Sequence, residues 1–186
     1  MKYSFFVILF TLLIFAGFGQ PKYFTKTGKI SFYSKSSMEN IEAVNTKVVS
    51  VWDVASGQIE FAVLLKGFEF DKALMQEHFN ENYVESDKYP KAVFKGIIEN
   101  SKTIQLSGDN VSTVRVNGTL TLHGVTNPVS TNAVITVKSG VVAASCNFSI
   151  TLTDYKISIP SLVAEKINKK IAIAVVIPEY QPMTTK

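Results

Sequence analysis

Residues 112–124 read STVRVNGTLTLHG. Val114, Val116, Leu120 and Leu122 alternate with Arg115, Asn117, Thr119 and Thr121, a period of two that puts apolar side chains on one face and polar ones on the other. That is the pattern of a long β-strand with one wet face. Residues 57–70, GQIEFAVLLKGFEF, repeat it: Ile59, Phe61, Val63 and Leu65 fall on the face opposite Glu60 and Lys66. Further along, Val129, Ala133, Ile135 and Val137 form one inward set, and Val142, Ala144, Cys146, Phe148, Ile150 and Leu152 form another. Ser139-Gly140 separates these two runs as a hairpin turn. The closing run KKIAIAVVI puts Ile171, Ile173, Val175 and Ile177 together. GKISFYS and NTKVVSVWDVASG are weaker candidates, and AVFKGIIEN and KTIQLSG bring the total to about nine or ten strands.

Many long strands and almost no helix predict an all-β, antiparallel architecture. A barrel suits it better than an immunoglobulin-type sandwich, because closure removes exposed edges and no cysteine pair braces two sheets. The one cysteine, Cys146, lies within an apolar alternation and reads as core filling rather than a reactive thiol. The terminal stretch PEYQPMTTK is expected to fray, at the latest from residue 181.

At 186 residues, with 46% apolar and 18% charged residues, the chain has material for one folded domain, residues 20–180. Residues 1–19 are set apart from it. Lys2, the apolar run Phe5–Phe15 and small Gly17 and Gly19 before Gln20 are the pattern of a cleaved secretory signal peptide. The run is too short to span a bilayer, so no stable membrane insertion is expected after cleavage. The expected location is the periplasm. What remains has 18 basic and 15 acidic residues, a net charge of +3, with Arg115 the only arginine and Lys169-Lys170 the longest basic run. Such a balance excludes nucleic acid as a partner. It leaves the oligomeric state open, a dimer included.

One segment breaks the alternation. In LMQEHFNENYVESDKYPKAVFKG, residues 74–96, Leu74, Met75, Phe79 and Tyr83 fall on one face of a helix, with Gln76, Glu77, Asn80 and Glu81 on the other. Asp71 is placed to cap that helix, and Pro90 ends it by forcing Tyr89 into an extended entry to the next strand. A short amphipathic helix between two barrel strands has a place for its apolar face over an open end. Glu77, His78 and Glu81 invite a catalytic reading, but helix neighbours point about 100° apart, and His78 with Glu81 three residues on is ordinary surface pairing. His123 is expected to bond to backbone at a strand end. With only two histidines and one cysteine, the chain has no motif for a metal site, and no cofactor or catalytic residue is assigned. Alternation alone does not distinguish a barrel filled with side chains from one that holds a ligand.

The same segment, followed by VNGTLTLHGVTNPV, resembles the YceI-like family in its shorter exported forms. SFYSKSSMENIEA and NFSITLTDYKISIP extend the resemblance to nearly all of the chain from Lys29 to Ile177. It implies a lipocalin-like, extended antiparallel barrel of about eight strands with a helix near one mouth. It also implies a long-chain polyisoprenoid or similar apolar lipid as the partner, bound without enzymatic chemistry. Members usually carry a histidine in the first strands, where this chain has Glu39 and Glu42. The inward residues assigned to the ligand are Phe61, Val63, Phe94, Leu120, Leu122, Phe148, Ile150 and Ile173, under a lid of Met75, Phe79 and Tyr83. At roughly 0.8 kcal/mol per buried methylene-sized group, each isoprene unit contributes on the order of 3 kcal/mol before ordering costs. Two rival readings remain: a packed barrel acting through its outer surface, and a lipid-modifying enzyme built from Glu39, Glu42, His78 and His123.

Overall fold

The alternating runs form strands that close on themselves. The computed structural model describes residues 22–183, so the signal peptide expected at residues 1–19 lies outside the described residues. The strands are β1 (Lys22–Lys35), β2 (Asn40–Asp53), β3 (Gln58–Leu64), β4 (Glu69–Phe70), β5 (Lys91–Ile98), β6 (Asn110–Leu122), β7 (Val125–Lys138), β8 (Val141–Thr151) and β9 (Lys170–Pro182). Helix α1 (Ala73–His78) follows β4. All pairings are antiparallel, and β1 pairs with both β2 and β9, so eight strands close a barrel that the two-residue β4 flanks against β2.

Two tight turns set the register of the back wall. His123-Gly124 joins β6 to β7 and Ser139-Gly140 joins β7 to β8, all four with positive φ. Turns of that hand match the twist of the strands they connect. Inward phases then follow the alternation: Val116, Leu120, Ala133, Ile135, Val137, Ile150, Val175 and Ile177 are all buried.

Four expectations need correction. β1 and β2 are not weak strands but run 14 residues each. Their alternation is masked by register shifts between Thr25 and Ile30 and by buried polar residues, Thr25 and Ser34 in β1 and Asn45 and Ser50 in β2. KTIQLSG is not a strand. After Asn100 turns with φ 54°, Ser101–Thr103 form a 3-10 turn, and Ile104 and Leu106 pack onto the barrel's end as part of a loop. The carboxyl tail is ordered further than expected: β9 runs to Pro182, Tyr180 is buried, and the Met183 N–H bonds the Lys22 carbonyl at 2.6 Å. Pro178 is tolerated there because β9 bulges against β8 between Ile177 and Tyr180.

The helix also differs from expectation. Lys72, not Asp71, occupies its N-cap position, with no side-chain cap. After one and a half turns it widens into a π turn, Phe79–Tyr83, in which the Val84 N–H reaches the Phe79 carbonyl at 3.0 Å. Beyond it the Ser86 N–H bonds the Asn80 carbonyl, six residues back, at 2.8 Å. Together the long excursions 65–90 and 152–169, the β1–β2 turn and the His123-Gly124 turn occupy one end of the barrel.

Candidate functional site

The barrel is hollow. A cavity of about 500 Å³ runs down its axis, a size typical of pockets that enclose a small organic ligand. All eleven residues assigned to the ligand from the sequence line it. Phe61 and Val63 come from β3, Phe94 from β5, Leu120 and Leu122 from β6, Phe148 and Ile150 from β8, and Ile173 from β9. Met75, Phe79 and Tyr83 line its upper part. Apart from Ser145, the exposed side chains on the lining are Lys72, Leu74, His78 and Lys166, so the cavity opens at the end that carries the excursions.

Phe79 anchors the helical segment. Its ring lies 5.4 Å from Phe32, 5.7 Å from Phe68 and 5.1 Å from Phe70, in a four-ring cluster that joins the lid to β1 and β4. Such contacts add about 0.5–1.5 kcal/mol per pair beyond area burial. Deeper in, Phe61 and Phe94 meet edge-on at 6.3 Å. The Phe94 ring lies over Gly96 and Gly118, which oppose each other across β5 and β6. A Cβ at Gly96 would come within 2.7 Å of that ring, and one at Gly118 within 2.6 Å. The two glycines let the ring settle against the wall, which keeps the lumen open.

At the far end the cavity stops on Trp52 and Tyr180, whose rings are 6.0 Å apart. The Trp52 Nε1–H donates to Ser101 Oγ at 3.1 Å, and the Tyr180 hydroxyl pairs with Ser50 Oγ at 2.8 Å. Burial pushes the Tyr180 hydroxyl well above its ordinary range. These polar atoms are satisfied among themselves, leaving ring faces for the lumen. Cys146 also lines the cavity, and burial pushes its thiol up to about 11. It is a small apolar wall element, not a nucleophile.

Charge is confined to the mouth. Lys72 Nζ donates to Glu39 Oε1 at 2.7 Å, and this hydrogen bond holds the Glu39 carboxyl below its usual range, with desolvation opposing and Lys166 adding to the pull. Ser34 Oγ accepts the Asn168 N–H at 2.9 Å, tying the 152–169 excursion to the end of β1. The four residues of the enzymatic reading do not come together. Glu39 and His78 sit at the mouth, Glu42 is exposed on β2, and His123 does not line the cavity.

His123 does bond to backbone, its Nδ1 lying 3.0 Å from the Tyr155 carbonyl. Its Nε2 lies 2.7 Å from Glu85 Oε2, and the Tyr89 ring packs edge-on at 4.8 Å. The expected His78–Glu81 pair is absent among the described residues. Glu85 instead latches the end of that segment to the β6–β7 turn.

The family model for the YceI-like domain matches residues 23–178. This chain belongs to the YceI-like family. No curated protein sequence matches it. Several solved structures share the YceI-like fold. One is a polyisoprenoid binding domain from Saccharophagus degradans implicated in plant cell wall breakdown, 16% identical, with a TM-score of 0.76 over 88% of this chain and 99% of that one. Another is Burkholderia cenocepacia BcnA, 15% identical, with a TM-score of 0.67 over 81% of this chain and 94% of that one. A Campylobacter jejuni YCEI protein is 14% identical, with a TM-score of 0.54 over 100% and 94%.

The inward sets read from the alternation, such as Ile59, Val116, Ala133, Ile135, Val175 and Ile177, line the cavity too, and sequence reasoning missed only part of the lining. Phe32 and Trp52 stand in phase with their strands' buried sets, but the register shifts hid that phase. Phe68 and Phe70 carried a signal, two phenylalanines at alternate positions directly before the helix. Val163, Lys166 and Ile167 lie in a loop with no period to read.

Proposed function

We propose that this YceI-like protein binds a long apolar lipid of the isoprenoid type inside its barrel and carries or buffers it without enzymatic chemistry. The observation that carries the reading is the cavity of about 500 Å³, walled mostly by aliphatic and aromatic side chains, open at one end and charged only at that opening. A chain-like ligand gains affinity there from apolar area and shape, while any polar head remains at the rim beside Glu39, Lys72 and Lys166. The description of a structural neighbour as a polyisoprenoid binding domain supports the same ligand class. The position of His123 and Glu42 away from the lumen supports a carrier over an enzyme. The leader-like residues 1–19 support work in the periplasm.

The test is native mass spectrometry of the protein taken from the periplasm of an expressing bacterium, with organic extraction of whatever it releases. A stoichiometric isoprenoid is the expected result. Protein that is empty, and that also fails to take up added retinol, would refute the reading and move attention to the outer surface.

A further inference from the structure

Single exposed apolar side chains are ordinary and carry no message. Those at the mouth are not scattered. Leu162 is 92% exposed, the most of any large apolar residue described, while Met38 is 61% and Leu74 60% exposed. They come from three separate segments: the 152–169 excursion, the β1–β2 turn and α1. Each is tied to the opening. Leu74 lines the cavity, and Met38 and Leu162 directly precede Glu39 and Val163, which also line it. The opening is therefore ringed by three protruding apolar side chains.

Cations accompany them. Lys35, Lys166, Lys169 and Lys170 lie on the same segments or at their ends, and none forms an ion pair among the described residues. The acids on or beside the same segments are Glu39, already engaged by Lys72, together with Asp71, Asp154 and Glu165, while Lys156 adds a further lysine to the 152–169 excursion. Glu77 and Glu81 border a different cleft, with Lys66 and Asp87.

We propose that the mouth is a docking face for a lipid bilayer with anionic headgroups. Met38, Leu74 and Leu162 enter the acyl boundary, and the four lysines meet the headgroups. Resting on the reading of the cavity as a lipid site, this gives the cargo a route between bilayer and barrel that avoids water. A folded protein partner fits the face less well. Its interface needs a packed apolar centre, whereas here the apolar points surround an opening and are separated by charged side chains. A bilayer yields around isolated protrusions, and anionic lipid attracts a basic rim.

The experiment compares the purified exported protein with the double variant Met38→Asp/Leu162→Asp, neither position lining the cavity. Sedimentation uses vesicles of phosphatidylethanolamine and phosphatidylglycerol, or of phosphatidylcholine alone. In parallel, retinol is offered from ethanol and from the vesicles, its arrival read by energy transfer from Trp52, the only tryptophan. The native protein is expected to sediment with the anionic vesicles about tenfold more than with the zwitterionic ones, and the variant to lose that binding. Retinol uptake from ethanol should be equal in both, while transfer from vesicles slows about tenfold in the variant. Equal sedimentation of both proteins, or none by either, would overturn the docking face. So would a native dimer that the double variant dissociates while no vesicle binding is seen. If neither protein takes up retinol but only the native one sediments with anionic vesicles, docking stands and the lipid-cavity reading falls.

Discussion

The two ends of the barrel are built by different means. At the floor the chain uses a short β2–β3 turn, the Ser139-Gly140 turn and the Ile104 loop to stack Tyr23, Trp52, Ile135, Val137 and Tyr180 into a closed core. The Trp52 Nε1–H and the Tyr180 hydroxyl each have a partner, and nothing charged lines the lumen there. At the mouth, excursions of 26 and 18 residues lie between β3 and β5 and between β8 and β9. They hold together through the four-phenylalanine cluster, the Glu85–His123 contact and the Glu39–Lys72 pair. The difference teaches that short turns and one loop laid across the end suffice to seal a barrel, whereas keeping it open takes long excursions that brace one another.

Trp52→Ala strikes the sealed end hardest. Removing a buried indole costs about 3–5 kcal/mol, and urea unfolding should show it, with retinol binding falling only because the barrel melts. Phe79→Asp, at the other end, should cost less stability but lower retinol affinity by at least about tenfold in fluorescence titration, since it places a charge among rings. Glu81→Gln, on the solvent side, should change neither, and two equal effects would erase the distinction between lid face and wet face. His123→Ala should cost about 1 kcal/mol and speed amide exchange of residues 79–84 while the floor strands keep their protection.

Smaller effects sharpen the picture between the ends. Because burial raises the Cys146 thiol from 9.0 to about 11, its labelling by iodoacetamide near neutral pH should run on the order of 100-fold slower than an ordinary thiol's. Bound retinol should slow it further. Last comes the rim. The Glu39 carboxyl is lowered in the folded protein, so its contribution is fully present above the ordinary carboxylate range and lost as pH falls through the lowered value. A carboxyl-carbon NMR titration should find the Glu39–Lys72 pair intact through mild acid.

The back wall was readable because β6 and β7 are regular, β8 and β9 depart from register only beyond Ala144 and Ile177, and each has one wet face. The eleven lining residues found from the sequence are those whose phase no bulge disturbs, together with the apolar stripe of the lid. β1 and β2 hid their length because Thr25, Ser34, Asn45 and Ser50 place polar groups inside, satisfied by partners such as the Leu64 carbonyl, which accepts from Asn45 Nδ2 at 2.9 Å. The failed strand at 102–108 shows that Ile104 and Leu106, two apart, fit a loop laid across the barrel's end as well as they fit a strand. The Glu85–His123 contact joins residues 38 apart in sequence, a separation over which no local pattern operates.

The pairing of β1 with β9 has a consequence for how the molecule is made. Residues 22–35 lie beside residues 170–182, so the ring cannot close until almost the whole chain is available. Until then, the hairpin of β1 and β2 presents its other edge unpaired. Folding dominated by such distant pairings is slow, on the order of milliseconds to seconds. The last seam to be sewn is thus the one that joins the first strand to the last, and until it closes both of those strands keep an edge open to any other strand they meet.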